Sequence, residues 1–449
     1  MDAACLTAWD CLCWVYSFLC LVTMMRTLVI WLLGTLACFA IAEQRPIAFV
    51  GATLIPIEGE PVEQGTLLVA NGKILALGLD VAIPANADIR QLDGKVIMPG
   101  LVDTHSHIGQ VAGADRSHPI QADVRALDSI NVRHAGIIKA RAGGITTVNV
   151  MPGSGHLLSG QTLYMKLREG NSVEDLAIRN EGGAMMGGIK MANGTNPLRA
   201  SPFPGTRGKA AALMRAQLIA AQEYCKKLAT DDKPGRNLGN EALCEALAGE
   251  RLVHHHTHRH DDVLTVLRIA EEFGLRVVLH HVSEAGLVAD EIAAAGVPAS
   301  IIHIDSPGGK LEVMNLEPDN GRLLAEAGVL LAYHTDDPIT DSRLFLRSAG
   351  MGMRFGLDRE TALASLTLNG AKMLDLADRV GSLVAGKDAD FVILDGDPLS
   401  VYTRVLETWI DGVQVFNLQD PEHAIYATGG YGAGRDAIAS DIIMMEAGL

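Results

Sequence analysis

Short apolar runs closed by polar turns recur along the chain, in two different rhythms. Between residues 47 and 93 the runs Ile47–Val50, Thr53–Ile55, Thr66–Val69 and Lys73–Leu75 follow one another with only turns between them. That spacing predicts short β-strands. From Val96 the rhythm changes to strand, loop and helix. Strand-like runs appear at Val96–Val102, Gly144–Val150, Met186–Ala192, Leu252–His256, Leu275–His281, Ala299–His303 and Val329–His334. Between them lie helical patterns such as Asp262–Phe273, apolar at Val263, Val266, Leu267 and Ala270, and Ala285–Ala295. Strands alternating with helices predict a parallel sheet, and this many units predict an α/β fold, a (β/α)₈ TIM-like barrel with its site at the C-terminal strand ends. A doubly wound sheet is the alternative, but no Gly-rich phosphate loop follows any of these strands. After Gly381 the short-strand rhythm returns at Asp390–Leu394, Glu407–Ile410 and Gln414–Phe416. The two flanking segments, 43–95 and 381–420, are expected to form one small β-sandwich around a 96–380 barrel, followed by a Gly-rich tail at 421–449.

Residues 1–42 are expected to stand outside the fold as a leader. Arg26 precedes an apolar stretch from Thr27 to Ala42, and Ala40-Ile41-Ala42 before Glu43 reads as a small-x-small cleavage site. A spanning anchor is the competing reading, though the stretch is short for a bilayer. Met1 to Thr23 is Cys- and Trp-rich without export logic, so translation is expected to begin at Met24 or Met25. The mature protein is then exported, periplasmic or secreted, with no stable membrane anchor. Removing the leader leaves Cys225 and Cys244, which either pair or stay as free thiols. The 37 basic against 53 acidic side chains, a net charge of −16, argue against a nucleic-acid partner.

Chemistry concentrates at strand ends. Asp103-Thr-His105-Ser-His107 closes the first barrel strand. Residues i and i+2 of a strand share a face, so the two imidazoles can hold one metal ion while Asp103 orients a ligand. Lys190 sits inside an apolar strand, where an ammonium needs a partner or a role. In His254-His-His256-Thr-His258-Arg-His260 only His256 or His258 is near enough to the strand end to reach the mouth. His280 and His281 alternate faces, so at most one is a ligand; His281 is nearer the end. Tyr333-His334-Thr335-Asp336-Asp337-Pro338 offers an acidic group that can bind metal and take a proton from water.

These motifs resemble the amidohydrolase superfamily, within it the imidazolonepropionase-related group. The similarity runs from about Ile47 to Phe416 and includes Pro99-Gly-Leu-Val-Asp103-Thr-His105-Ser-His107 and Gly381-Ser-Leu-Val-Ala-Gly-Lys-Asp-Ala-Asp390-Phe-Val-Ile-Leu394. The resemblance implies that His105 and His107 bind a first metal, with Asp336 as its further ligand and proton shuttle. It implies that His256 and His281 bind a second metal and that a carbamylated Lys190 bridges the two. Two divalent ions, zinc first among them, would activate a hydroxide for cleavage of an amide-type C–N bond. The expected partner is a small peptide-like substrate with a free carboxylate, a dipeptide or N-acyl amino acid. His156, Tyr164, Arg199 and Arg207 are candidates to contact it. A homo-oligomer is compatible with what is common among relatives. Competing readings are a mononuclear cyclic-amide hydrolase or deaminase of the same fold, and a catalytically silent scaffold or metal-binding protein.

Overall fold

The computed structural model describes residues 45–109, 115, 117–303 and 310–429. The leader (1–42), the start-codon question and the tail beyond 429 lie outside them. Residues 421–429, assigned above to the tail, include a helix, Pro421–Thr428, started by the Asp420 carboxylate accepting from Glu422 N–H.

The segments 47–99 and 391–417 share one sheet. It is built from β1 (Ile47–Leu54), β2 (Val62–Ala70), β3 (Lys73–Gly78), β4 (Asp88–Gln91) and β5 (Val96–Pro99), which is separated from the barrel strand β6 (Leu101–Ser106) by Gly100. The strands β15 (Phe391–Leu394), β16 (Val405–Ile410) and β17 (Val413–Asn417) complete it in the order β17-β16-β15-β5-β1-β2-β3, with β4 on β1. Its aliphatic core holds an aromatic cluster: the Phe49 ring meets Phe391 and Trp409 edge-on at 5.1 Å each. The single run expected at Val96–Val102 is therefore two strands, and the boundary at 95/96 moves. β5 pairs with β15 in the flanking sheet, Val96 opposite Leu394 and Pro99 opposite Phe391. The break falls at Gly100, where a methyl group would lie 2.2 Å from Thr146 Cγ2.

The rest is a TIM-barrel-like α/β arrangement. β6 runs parallel to β7 (Ile145–Val150). A second sheet places β10 (Ile189–Ala192), β11 (Val253–Thr257), β12 (Val277–His281), β13 (Ala299–Ile301) and β14 (Leu331–Tyr333) side by side and parallel. Strict alternation fails between β7 and β10. There the chain inserts β8 (Leu158–Gln161) and β9 (Leu163–Lys166), antiparallel to β10 and β7 respectively. Helices form where the sequence places their signals. Arg207–Leu228 begins with the Thr206 hydroxyl accepting from Lys209 N–H and buries Ala210, Met214, Leu218 and Ala221 at turn spacing.

Cys225 and Cys244 form a disulfide that ties this helix to Leu238–Leu247. Closing so short a loop removes unfolded-state entropy worth about 3 kcal/mol. The double variant Cys225→Ser, Cys244→Ser is expected to lose about that much stability in denaturant titrations, and reduced wild-type protein should match it.

Lys166, at the end of β9, is fully buried and reaches into the flanking sheet. Its ammonium donates to Asp388 (2.6 Å), Asp390 (3.1 Å) and Asp411. Burial pulls the lysine down, but the three carboxylates outweigh it and hold the ammonium above its usual range. Burial pushes Asp390 up to about 6. Lys166→Met would leave buried carboxylates uncompensated, with an expected cost of about 3–5 kcal/mol, read as a lower denaturant midpoint.

Candidate metal centre

The C-terminal ends of β6, β10, β11, β12 and β14 converge. Asp103, buried in β6, accepts from Thr335 Oγ1 (2.5 Å), Thr335 N (3.1 Å) and His105 N (3.2 Å). It thereby fixes the chain just after β14 against the end of β6. Asp336 N–H adds a hydrogen bond to His105 O at 2.9 Å. Two residues thus bring the Asp336 carboxylate to the histidines that close β6.

Asp336 Oδ1 lies 2.9 Å from His107 Nε2 and 3.3 Å from His105 Nε2, and Oδ2 lies 4.0 Å from His281 Nδ1. His107 Nδ1 sits 2.7 Å from Met151 O; with Nδ1 donating there, loss of the Nε2 proton that Asp336 accepts would free that nitrogen's lone pair for an ion. Lys190 Nζ lies 3.2 Å from His105 Nε2 and 3.0 Å from Met151 Sδ. The His256 ring is 4.5 Å from that of His281. All six expected metal-site residues therefore belong to one connected cluster, and His105, His281 and Asp336 each offer a ligand atom within 4.8 Å of the others.

One expectation needs correction. His280 and His281 do not diverge to opposite faces: their ring centroids lie 4.9 and 4.8 Å from that of His105. The cause is the backbone, since His281 (φ 73°) and Val282 (φ 38°) leave the extended conformation in which alternation holds. Asp336 also has a positive φ, 51°. His334 escaped the sequence reading, yet its ring stacks on His105 at 4.9 Å and its Nε2 is 3.1 Å from His281 Nδ1. The i, i+2 relation to Asp336 was an available signal.

The four candidates for substrate contact are engaged within the protein. Tyr164 is buried with its hydroxyl 2.8 Å from His254 Nε2. Arg207 holds Asp262 at 3.1 and 2.8 Å. Arg199 donates to Gly155 O and Asn196 O and stacks on Phe203, and His156 is buried against the same ring. Each found a partner distant in sequence, which composition alone does not reveal.

Burial sets the electrostatics. It drives His105, His256 and His281 well below their ordinary range, with neighbouring histidines adding to the effect. Burial also lowers Lys190 to about 7. Asp336 is pushed up by burial, but the hydrogen bond and charge of His107 overcome this and hold it below the usual carboxylate range. Neutral imidazoles around an ionised carboxylate are the donor set of a divalent transition ion. Buried His105 Nδ1, His256 Nδ1 and His281 Nε2 also have no hydrogen-bond partner among the described residues. The residues present fit such an ion.

Comparison with known proteins agrees. A crystal structure of an amidohydrolase from Thermotoga maritima MSB8 is 34% identical with a TM-score of 0.77, covering 83% of this chain and all of that one. Imidazolonepropionase of Deinococcus radiodurans is 25% identical over 79% of this chain and 92% of that protein. Amidohydrolase tasK of Hapsidospora irregularis is 27% identical over 79% of this chain, which spans only 39% of that longer protein. The family model for the amidohydrolase family matches residues 96–419. The chain belongs to the amidohydrolase family, metal-dependent hydrolases of carbon–nitrogen bonds.

Proposed function

We propose that this protein hydrolyses the amide bond of a small peptide-like molecule, a dipeptide or N-acyl amino acid. Two divalent ions, zinc first among them, would be held by His105, His107, Asp336, His256 and His281, with Lys190 between them. The observation that carries the reading is one carboxylate, Asp336, within 4.0 Å of imidazoles from two different strand ends. When bound, the ions supply Lewis acidity, bringing the pKa of water to about 7 and polarising a carbonyl. The chain's own residues do the rest. Asp336, ionised and beside His107, accepts the proton of the attacking water and passes it to the leaving nitrogen. Asp103 holds Thr335 and hence the approach of Asp336. Lys190, lowered to about 7 by burial, has the neutral amine that carbamylation by CO₂ requires. Lys310, exposed at the same mouth, places a positive charge near His256 and His258 and suits a substrate carboxylate.

A mononuclear centre acting on a cyclic amide, or as a deaminase, is the second reading. It is favoured by the Lys190 amine standing at hydrogen-bond distance, 3.2 Å, from His105 Nε2. Metal analysis joined to a screen of dipeptides, N-acyl amino acids and cyclic imides separates the two. About two ions per chain with dipeptide or N-acyl turnover supports the first. One ion with turnover only of cyclic amides or amines sinks it.

The proposal includes a closed barrel with a small β-sandwich beside it. The hydrogen bond from Asp336 N to His105 O supports closure between β14 and β6. It includes export as well: the apolar 27–42 stretch and the Cys225–Cys244 disulfide both suit an oxidising compartment.

A further inference from the structure

Glu312 lies in the connection between β13 and β14, outside every motif that identified the centre. It is buried, with 3% of its surface exposed. Its Oε2 accepts the Thr195 N–H at 2.7 Å. The approach depends on Gly194 (φ 78°), where a methyl group would lie 2.6 Å from that oxygen. Its other oxygen, Oε1, has no hydrogen-bond partner among the described residues. A buried carboxylate oxygen without a donor is costly. Among the described residues nothing satisfies it.

His258 Nε2 is 4.0 Å from that oxygen, and a ligand atom of His256 completes a group lying within 4.8 Å. The His258 Nδ1 is 2.7 Å from Ser283 Oγ. In the tautomer that donates there, Nε2 is a second acceptor facing Glu312. Two acceptors 4.0 Å apart can each take a hydrogen bond of about 2.8 Å from one nitrogen, the bonds meeting at roughly 90°. A zinc ion at about 2.0–2.1 Å from both would require a nearly linear arrangement, far from tetrahedral. The spacing accommodates a primary ammonium as it stands, whereas an ion would need the two side chains to close in.

We propose that Glu312 and His258 form a subsite for a primary ammonium group of the substrate, beside the centre's His256. This rests on the amide-hydrolase reading above and narrows it to substrates that carry an ammonium group. The ammonium could be the α-amino group of a dipeptide or a side-chain amine of the leaving half.

The test compares kcat/KM for L-alanyl-L-alanine, N-propionyl-L-alanine, which lacks only the amine, and Nα-acetyl-L-lysine, in wild type, Glu312→Gln and His258→Gln. The ratio of the ammonium-bearing to the amine-free substrate should fall by about 10- to 100-fold in Glu312→Gln, mostly through KM, and should fall in His258→Gln as well. Whether alanyl-alanine or acetyl-lysine carries the effect identifies which amine is bound. An unchanged ratio in both variants overturns the proposal and leaves the free oxygen to an ordered water. Loss of one equivalent of divalent ion in Glu312→Gln, with the ratio intact, overturns it in favour of a metal ligand. Calorimetric titration of the metal-loaded enzyme with L-alaninol and 1,2-propanediol needs no turnover. Tighter binding of the amine in wild type only is expected, and equal binding in wild type overturns the subsite. If no amide is hydrolysed but the amine preference holds, the substrate reading fails and the subsite stands.

Discussion

Asp336→Asn is expected to fold normally and to lose roughly 10²–10⁴-fold in kcat toward whichever amide the screen identifies. Asparagine preserves the shape that meets His107 at 2.9 Å and His105 at 3.3 Å. It cannot accept a proton, and it gives a divalent ion a weaker, neutral oxygen. Comparison with Asp337→Asn separates chemistry from architecture. The Asp337 carboxylate accepts from Ser342 N (2.9 Å) and Ser342 Oγ (2.6 Å) and pairs with Lys139 at 3.2 Å, so it anchors the loop instead. Its amide variant should lose about 1–3 kcal/mol of stability while retaining most of the activity. If Asp336→Asn turns over like wild type at full metal content, the proton shuttle is elsewhere. A larger loss accompanied by missing metal would assign Asp336 a ligand role as well.

The sequence made the centre legible wherever a strand kept its period. His105 stands near the end of β6 with His107 two residues on, just past it, and Lys190 interrupts an apolar strand, so each announces itself locally. Local period is also where the reading broke down. At His281 the backbone turns left-handed, and a rule built on extended geometry assigns His280 to the wrong face. The run Val96–Val102 reads as one strand because hydropathy does not register the contact with Thr146 that demands glycine at position 100. Tyr164 and Arg207 read as ligand contacts because their partners, His254 and Asp262, lie 90 and 55 positions away. Glu312 gives no signal at all. Its function depends on meeting the turn after β10, and nothing within its own neighbourhood encodes that meeting.

Stability should collapse on mild acidification. Burial lowers His254, His255, His258 and His334 to about 3. It also drives His105, His256, His280 and His281 well below the usual range. In the unfolded chain each would bind a proton near pH 6.5. Below that value the unfolded state holds more protons than the folded one, so stability rises with pH and is lost as pH falls through about 6.5. Each such histidine contributes up to about 1.4 kcal/mol per pH unit. Three carboxyls act in the opposite sense: burial raises Asp103 to about 7, Asp390 to about 6 and also lifts Asp262, so they take up protons first in the folded state. They offset only part of the larger histidine set. Against a typical folding stability of about 5–15 kcal/mol, the loss should be large enough to read directly. Urea midpoints at pH 7.5, 6.5 and 5.5 measure this directly, and a flat series would remove the histidines from the stability balance. His255→Gln isolates the cause. Alternation places His255 on the face opposite the centre, so the variant should flatten the acid slope by about 1 kcal/mol per pH unit at unchanged metal content. Acid lability arising from metal loss alone would leave that slope where it was.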